Sequence, residues 1–363
     1  MSLLHFITAI PLNVERGSGC FVGTRTLIDA LQELGIGIEL VTPRVITPVY
    51  SATRFLFNQT LRHRRFEGDA VVGIDADGYT IAGKRGALPH VACIKGVLGD
   101  AVRFERGITR ASMALQSGLE ATHARRADLV ITVSRYCAAR LEELYGVRGA
   151  VVVPELIDLH RWHALFQANA CVPDPRKFTV LSVCRFYPRK RLDVLLRAAA
   201  ILRDRIPNLE IRIVGGGPEH GKLLQMHSDL RLGPAVQWLG DLTADALASE
   251  YNRSDIFCLP SVQEGFGIVF LEAMAAGKPI VAARAAAVPE VVRDGLVVEP
   301  ENQEALADAI LRLARDAGLR ASLAAAGERN VREFAAPQIA LRFIEQVATI
   351  VPALKNATTA SPV

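Results

Sequence analysis

Across its 363 residues the sequence has no Cys-x-x-Cys pair and no histidine spaced to join a cysteine as a metal ligand. Its six cysteines, Cys20, Cys93, Cys137, Cys171, Cys184 and Cys258, are scattered. That pattern argues against a zinc site or a disulfide framework and for buried free thiols in a reducing compartment. No apolar run reaches the length of a membrane span. The first residues, MSLLHFITAIPLNVERG, lack a basic leader and a cleavage site, so they read as a first buried strand and not as a signal peptide. Charge of one sign is also scarce: 42 Lys and Arg against 38 Asp and Glu leave +4. A dedicated nucleic-acid binder carries a larger excess, so no nucleic-acid partner is expected, whereas anionic ligands or an acidic membrane surface fit. Short repeats and low-complexity tracts are missing. The expectation is a cytoplasmic protein, membrane-peripheral at most.

What the sequence does have is alternation. Short β-rich runs (LLHFITAI, IGIELVTP, AVVGI, HVACIKG, LVITVS, AVVVP, then FTVLSVC, LEIRIVG, VQWLG, IFCLP, PIVAA, GLVVEP) are separated by amphipathic helical patterns such as GTRTLIDALQELG and SRYCAARLEELYG. Compact apolar strands alternating with helices make parallel sheets covered on both faces. The length is too great for one ordinary core. The fold class is therefore α/β, with two Rossmann-like, doubly wound domains facing each other. Residues 1–165 form the first and 176–335 the second. Between them the pattern breaks into LHRWHALFQANACVPDPRK, where Pro173 and Pro175 read as a linker. A last helix is expected over 336–355.

In parallel sheets, ligands bind at the carboxyl ends of the strands, so unusual loops there carry the functional information. The most specific is SVQEGFGIVFLEAMAAGKPIVA, residues 261–282. Glu264 follows a strand, and Gly265 and Gly267 bracket Phe266 and allow a sharp bend. A helix starting near Ile268 would aim free amides and its positive dipole end at a phosphate. Glu272, about one turn inside that helix, suits a ribose diol. In VCRFYPRKRLDVLL, Arg185 and Lys190 occupy another strand-to-helix loop, where two cations would neutralise a diphosphate leaving group. Gly215 and Gly216, in IVGGGPEH, permit close backbone approach to a ligand or simply make a turn; Pro218 is expected to open the next helix. Gly17, Ser18 and Gly19 join the first strand to the first helix and have the same two readings. A base-contacting loop is placed near Leu239–Thr243.

Together these strings resemble the family 4 retaining glycosyltransferases of the GT-B fold, over nearly the whole chain and most strongly from Phe178 to Val298. The resemblance implies an enzyme that transfers a hexosyl group, with retention, from a UDP- or GDP-sugar to a glycan, lipid-linked or small-molecule acceptor. It implies Glu264 beside the transferred sugar, Glu272 on the ribose, and Arg185 and Lys190 on the diphosphate, with the backbone at Gly267 and Ile268 meeting the phosphates. It further implies that no cofactor or metal is needed and that the final helix packs back on the N-terminal, acceptor-binding domain. The sequence departs from the family pattern at several places. Lys95 stands at or near the position of a common histidine, Cys184 and Arg191 replace glycines, and PELID replaces the usual Pro-Asn-Gly. Asp77, in the string Asp75-Ala76-Asp77, and Lys95 are the candidate acceptor contacts; the string reads as a turn or acceptor contact rather than a metal site. RFLFNQTLRHRRF, with Arg54, Arg62, Arg64 and Arg65 among phenylalanines, fits either a solvated basic helix or docking on anionic lipid. A nucleotide-sugar epimerase and a non-catalytic nucleotide-sugar binder are the rival readings. The paired glutamates Glu264 and Glu272 weigh against the first, and the intact Arg185, Lys190, Glu264 and Glu272 against the second.

Overall fold

Each of the twelve apolar runs forms a strand in the structure, a computed structural model that describes residues 2–9, 19–84 and 86–357. The chain divides into two units. One comprises the described residues up to Leu156 together with those from Ala336 onward; the other is Ile157–Ala335.

The first unit is built on a parallel sheet of β1 (Leu3–Ile7), β2 (Gly37–Val41), β3 (Ala70–Ile74), β4 (His90–Ile94), β5 (Leu129–Thr132) and β6 (Val151–Val152), in the order β2-β1-β3-β4-β5-β6. Strands β3 and β4 are buried at every residue, as expected where helices cover both faces. Local signals set the helix ends. In the helix Arg135–Tyr145, the Ser134 side chain accepts from the Cys137 amide, and Gly146 closes the other end in the left-handed region. The C-terminal helix Ala336–Val347 belongs to this unit. Its Ile339, Phe343, Ile344 and Val347 join Leu4, Phe6, Leu27 and Leu31 in one core, each such side chain contributing about 1.5–3 kcal/mol by burial. The single helix expected over 336–355 ends at Val347. A short 3-10 turn, Pro352–Ala357, follows, because Pro352 lacks the amide needed to continue an α-helix.

The second unit carries β7 (Phe178–Val183), β8 (Leu209–Val214), β9 (Val236–Gly240), β10 (Ile256–Leu259), β11 (Ile280–Ala283) and β12 (Leu296–Val298), again all parallel, in the order β12-β11-β10-β7-β8-β9. The segment expected to be a linker is instead part of this unit. Asp158 caps the helix Leu159–Ala168, and Trp162 and Phe166 meet the Tyr251 ring at 5.9 and 6.2 Å. Asn252 Nδ2 donates to the carbonyls of Phe166 and Asn169 at 2.9 Å each. These aromatic and amide contacts, invisible to a local pattern, fasten the segment to the helix Ala244–Arg253. Of the six cysteines, all free, Cys20 and Cys171 are only partly covered, so the expectation of buried thiols holds for the other four.

Candidate functional site

Strand order decides where a ligand meets the second unit. The chain runs β7-β8-β9 toward one edge and β10-β11-β12 toward the other, so the order reverses between β7 and β10. At such a switch point the two flanking loops leave in opposite directions and open a crevice at the strands' carboxyl ends. Those two loops carry Arg185 with Lys190, and Glu264. They are tied together where the Val262 amide donates to the Arg189 carbonyl at 2.9 Å. The Glu264 carbonyl also accepts from the Ala287 amide beyond β11 at 3.4 Å.

Within this crevice Lys190 Nζ lies 2.5 Å from Glu264 Oε1, and both side chains are largely buried. A cation and a carboxylate held this close in low dielectric neutralise each other until a ligand offers either one a better partner. Arg185 Nη1 contacts both oxygens of Asp241 at 2.9 and 3.2 Å, but this pair is exposed. An exposed pair is worth little and is easily redirected to an incoming anion. Arg191, which stands where the family has glycine, adopts φ +52°, the left-handed conformation that explains the glycine. Asp193 holds its guanidinium from Nε at 3.0 Å, and Glu301 also pairs with it. Cys184 is buried, and burial pushes its thiol up to about 12, so it is inert packing.

The expected helix runs Ile268–Ala275. Gly267 precedes it at φ +94°, and a Cβ there would stand 2.6 Å from the Phe270 ring. Only glycine gives the turn that presents the first helical amides to the crevice. Glu272 is buried, and Tyr251 donates its hydroxyl to Glu272 Oε2 at 2.9 Å. Burial pushes the carboxyl up to about 7, with the Tyr251 hydrogen bond pulling the other way. The Phe266 ring is buried edge-on against Phe334 at 5.5 Å, so what Phe266 offers the crevice is its backbone. Ile268 is likewise buried by its side chain, and Gly265 is half-buried.

The glycines after β8 have a local task. Gly215 has φ +115°, and a Cβ on it would fall 2.1 Å from the Cys184 carbonyl oxygen. Gly216 accepts from the Phe186 amide at 2.9 Å. The close approach foreseen for a ligand is thus made first by the loop that carries Arg185. Pro218 lies in a turn, and the helix it was expected to open begins at His220. Leu239 is half-buried at the end of β9, two residues from Asp241, on the same edge of the sheet.

In the first unit the candidate residues separate. Asp77 is 0% exposed. Its oxygens accept from the Ala9 amide at 2.7 Å, from Asn58 at 2.9 Å and from Arg54, whose Nε lies 3.2 Å away. The acceptor contact expected of Asp77 is corrected: its carboxylate is spent on holding the loop after β3 to the helix Tyr50–Leu61. Arg54, read in sequence as part of a basic face, is the buried partner in that pair. Asp75, at φ +52°, accepts from the Lys95 amide at 2.8 Å and from the Cys20 thiol at 3.4 Å. Lys95 Nζ lies 2.9 Å from Glu155, both buried. Two departures from the family pattern, Lys95 and the glutamate of PELID, are therefore one ion pair. Gly19 is the first residue of the helix Gly19–Glu33; Gly17 and Ser18 lie outside the described residues. Among the described residues no group of three or more His, Cys, Asp or Glu is placed to hold a metal ion.

Sequence reasoning missed Asp241, Tyr251, Asn58 and Glu155 as partners. Glu155, Asp241 and Asn58 lay in strings that already stood out, PELID, the loop 239–243 and RFLFNQTLRHRRF; Tyr251 had no such signal.

Residues 167–330 match the family model described as glycosyl transferases group 1. A GDP-mannose-dependent alpha-(1-6)-phosphatidylinositol monomannoside mannosyltransferase of Mycolicibacterium smegmatis is 34% identical over 216 residues, 55% of this chain and 56% of that protein. A D-inositol 3-phosphate glycosyltransferase of Salinispora arenicola is 36% identical over 201 residues, 52% of this chain and 45% of that protein. The chain thus spans about half the length of the relatives it matches. Among solved structures, a sucrose-phosphate synthase from Thermosynechococcus elongatus superposes with TM-score 0.80 at 21% identity, covering 97% of this chain and all of that one. WaaG, a glycosyltransferase involved in lipopolysaccharide biosynthesis, gives 0.71 at 16% identity, over 96% and 99% of the two chains. The fold is that of the GT-B glycosyltransferases.

Proposed function

We propose that the chain is a retaining glycosyltransferase that moves a hexosyl group from a nucleotide-diphosphate sugar to a hydroxyl acceptor, with GDP-mannose the first donor to test. The observation that carries this reading is the Lys190–Glu264 pair at the β7/β10 switch point, beside the N-terminus of the helix Ile268–Ala275. The name of the Mycolicibacterium relative supports the choice of donor.

In this reading the donor diphosphate draws Lys190 and Arg185 from Glu264 and Asp241 and meets the amides at Gly267 and Ile268. Glu264, released, faces the transferred sugar, and the Glu272 carboxylate accepts from the ribose diol. As the bond from the anomeric carbon to the β-phosphate oxygen breaks, the acceptor oxygen bonds to the same face, and its proton passes to a phosphate oxygen. Charge on the departing diphosphate is stabilised by two cations and a helix end already in place. That assignment needs no metal, so turnover should survive a chelator.

A thermal-shift screen over nucleoside diphosphates and their sugars should single out one donor, because the right ligand stabilises the fold by mass action. With that donor, product NMR should report the retained anomeric configuration, and Lys190→Ala should lower turnover by about 10²–10³-fold in a variant that still melts cooperatively. Unchanged turnover in Lys190→Ala would sink the site assignment. An isomerised sugar from donor alone would turn the reading to an epimerase.

A further inference from the structure

Large apolar side chains facing water are the least expected feature of the first unit. Of the twelve that are exposed among the described residues, eight fall in two short segments, 45–56 and 108–115. Four of these eight are extreme, Ile108 at 90%, Ile46 at 77%, Leu115 at 71% and Val45 at 67% exposed; outside the two segments only Val172, in the second unit, reaches that range. Ile108 and Leu115 are seven residues apart on the helix Gly107–Arg126 and so share one face. The two segments adjoin, since Arg54 on the helix Tyr50–Leu61 donates to Gln116 on the helix Gly107–Arg126 at 3.2 Å. Isolated exposed leucines need no explanation, but a cluster of this size marks an interaction surface.

Charge decides what covers it. Arg44, Arg103, Arg106 and Arg110 are all exposed around these segments. Between Arg44 and Phe66 there is no acidic residue, and between Val102 and Leu119 the only one is Glu105, which is buried. Within these two segments exposed charge is therefore of one sign, and among the described residues their apolar side chains stay uncovered. A protein partner, or a second copy of this chain, would have to supply a matching apolar and acidic face. An anionic bilayer offers both properties at once, with headgroups for the arginines and an acyl boundary for the isoleucines.

The face also sits at the functional edge of its sheet. Residues 44–49 follow the carboxyl end of β2, and the helix bearing Ile108 follows that of β4, the same edge as Asp75 and Lys95. We propose that this face docks the protein on an anionic membrane, with Ile46 and Ile108 entering the headgroup boundary. The docking face stands on exposure and charge alone. That the acceptor hydroxyl is then presented from the bilayer rests on the transferase reading.

The test is cosedimentation of the full chain with phosphatidylcholine vesicles, plain or with about one third phosphatidylglycerol. The wild type should partition to the anionic vesicles, less so as salt is raised. Ile46→Glu with Ile108→Glu, and separately Arg106→Glu with Arg110→Glu, should each lower the partition by about tenfold or more while leaving the melting temperature unchanged. Equal binding to both vesicle types, or binding that survives both double variants, would overturn the proposal. So would a wild-type dimer that the isoleucine variant turns into a monomer, since the face would then be a contact between copies. Donor binding by thermal shift does not involve this face and is read in the same preparations. Loss of docking and failure of the transferase reading are thereby told apart.

Discussion

Replacing Glu272 with glutamine should make the protein more stable and its nucleotide site worse. In the free protein the Glu272 carboxyl is buried, and burial moves it to about 7 from an ordinary value near 4.5. The folded state therefore holds the proton more tightly than the unfolded chain does. A group raised in this way contributes stability that is fully present below about 4.5 and is lost as the pH rises through about 7. At about pH 8 the loss comes to about 3 kcal/mol; near pH 4.5 it is under about 0.5 kcal/mol. A glutamine keeps the shape and still accepts the Tyr251 hydroxyl, bonded to Glu272 at 2.9 Å, but never has to ionise. For a unit of this size each kcal/mol moves the midpoint by about 2–4 °C, so Glu272→Gln should melt about 6–12 °C above wild type at pH 8. The gap should nearly close at pH 4.5, because other titrating groups cancel in the difference. The assay is circular dichroism melting of both proteins without nucleotide at the two pH values. A difference independent of pH, or a glutamine variant less stable at pH 8, would refute the assignment of a buried, costly carboxylate. Under the proposed function the same ionised form serves the ribose. Donor affinity of the wild type should then fall as pH drops below about 7, and that dependence should vanish in the glutamine variant.

Two other buried pairs give sharp expectations. Asp77→Ala leaves the Arg54 guanidinium without its carboxylate in a fully covered site and should cost about 3–5 kcal/mol in urea unfolding; a near-neutral result would return Asp77 to the candidate acceptor contacts. Lys95→Met and Glu155→Gln should each destabilise strongly, whereas the double variant should recover part of the loss, with a coupling of about 1–3 kcal/mol in a double-mutant cycle; strictly additive effects would show that the two do not act as one unit.

How much was legible in the sequence varies by element. Each strand run could be read because a buried parallel strand must be apolar along its whole length. The Gly267 turn and the helix start at Ile268 could be read because their chemistry is local: a glycine for φ +94°, then free amides. The fate of residues 157–175 could not be read, because what fastens them is Tyr251 and Asn252, roughly eighty positions away. The burial of the Phe266 and Ile268 side chains could not be read for the same reason: a loop pattern fixes the backbone and does not say which side of it the core occupies.

By itself, then, the sequence determined the alternation of strands and helices, the glycine-dependent turn before Ile268 and the presence of Arg185, Lys190, Glu264 and Glu272 in two strand-to-helix loops. Those features depend on neighbours within a few positions, where residue type dictates conformation. Tertiary structure decided which charges meet. Lys190 and Glu264 are 74 positions apart, and Lys95 and Glu155 are 60 apart. Both pairs exist because parallel strands deliver all their loops to one edge of a sheet. The same closure buried Asp77 beyond reach of a substrate and left Ile46 and Ile108 facing water, because whether a side chain is covered depends on what the rest of the chain packs against it.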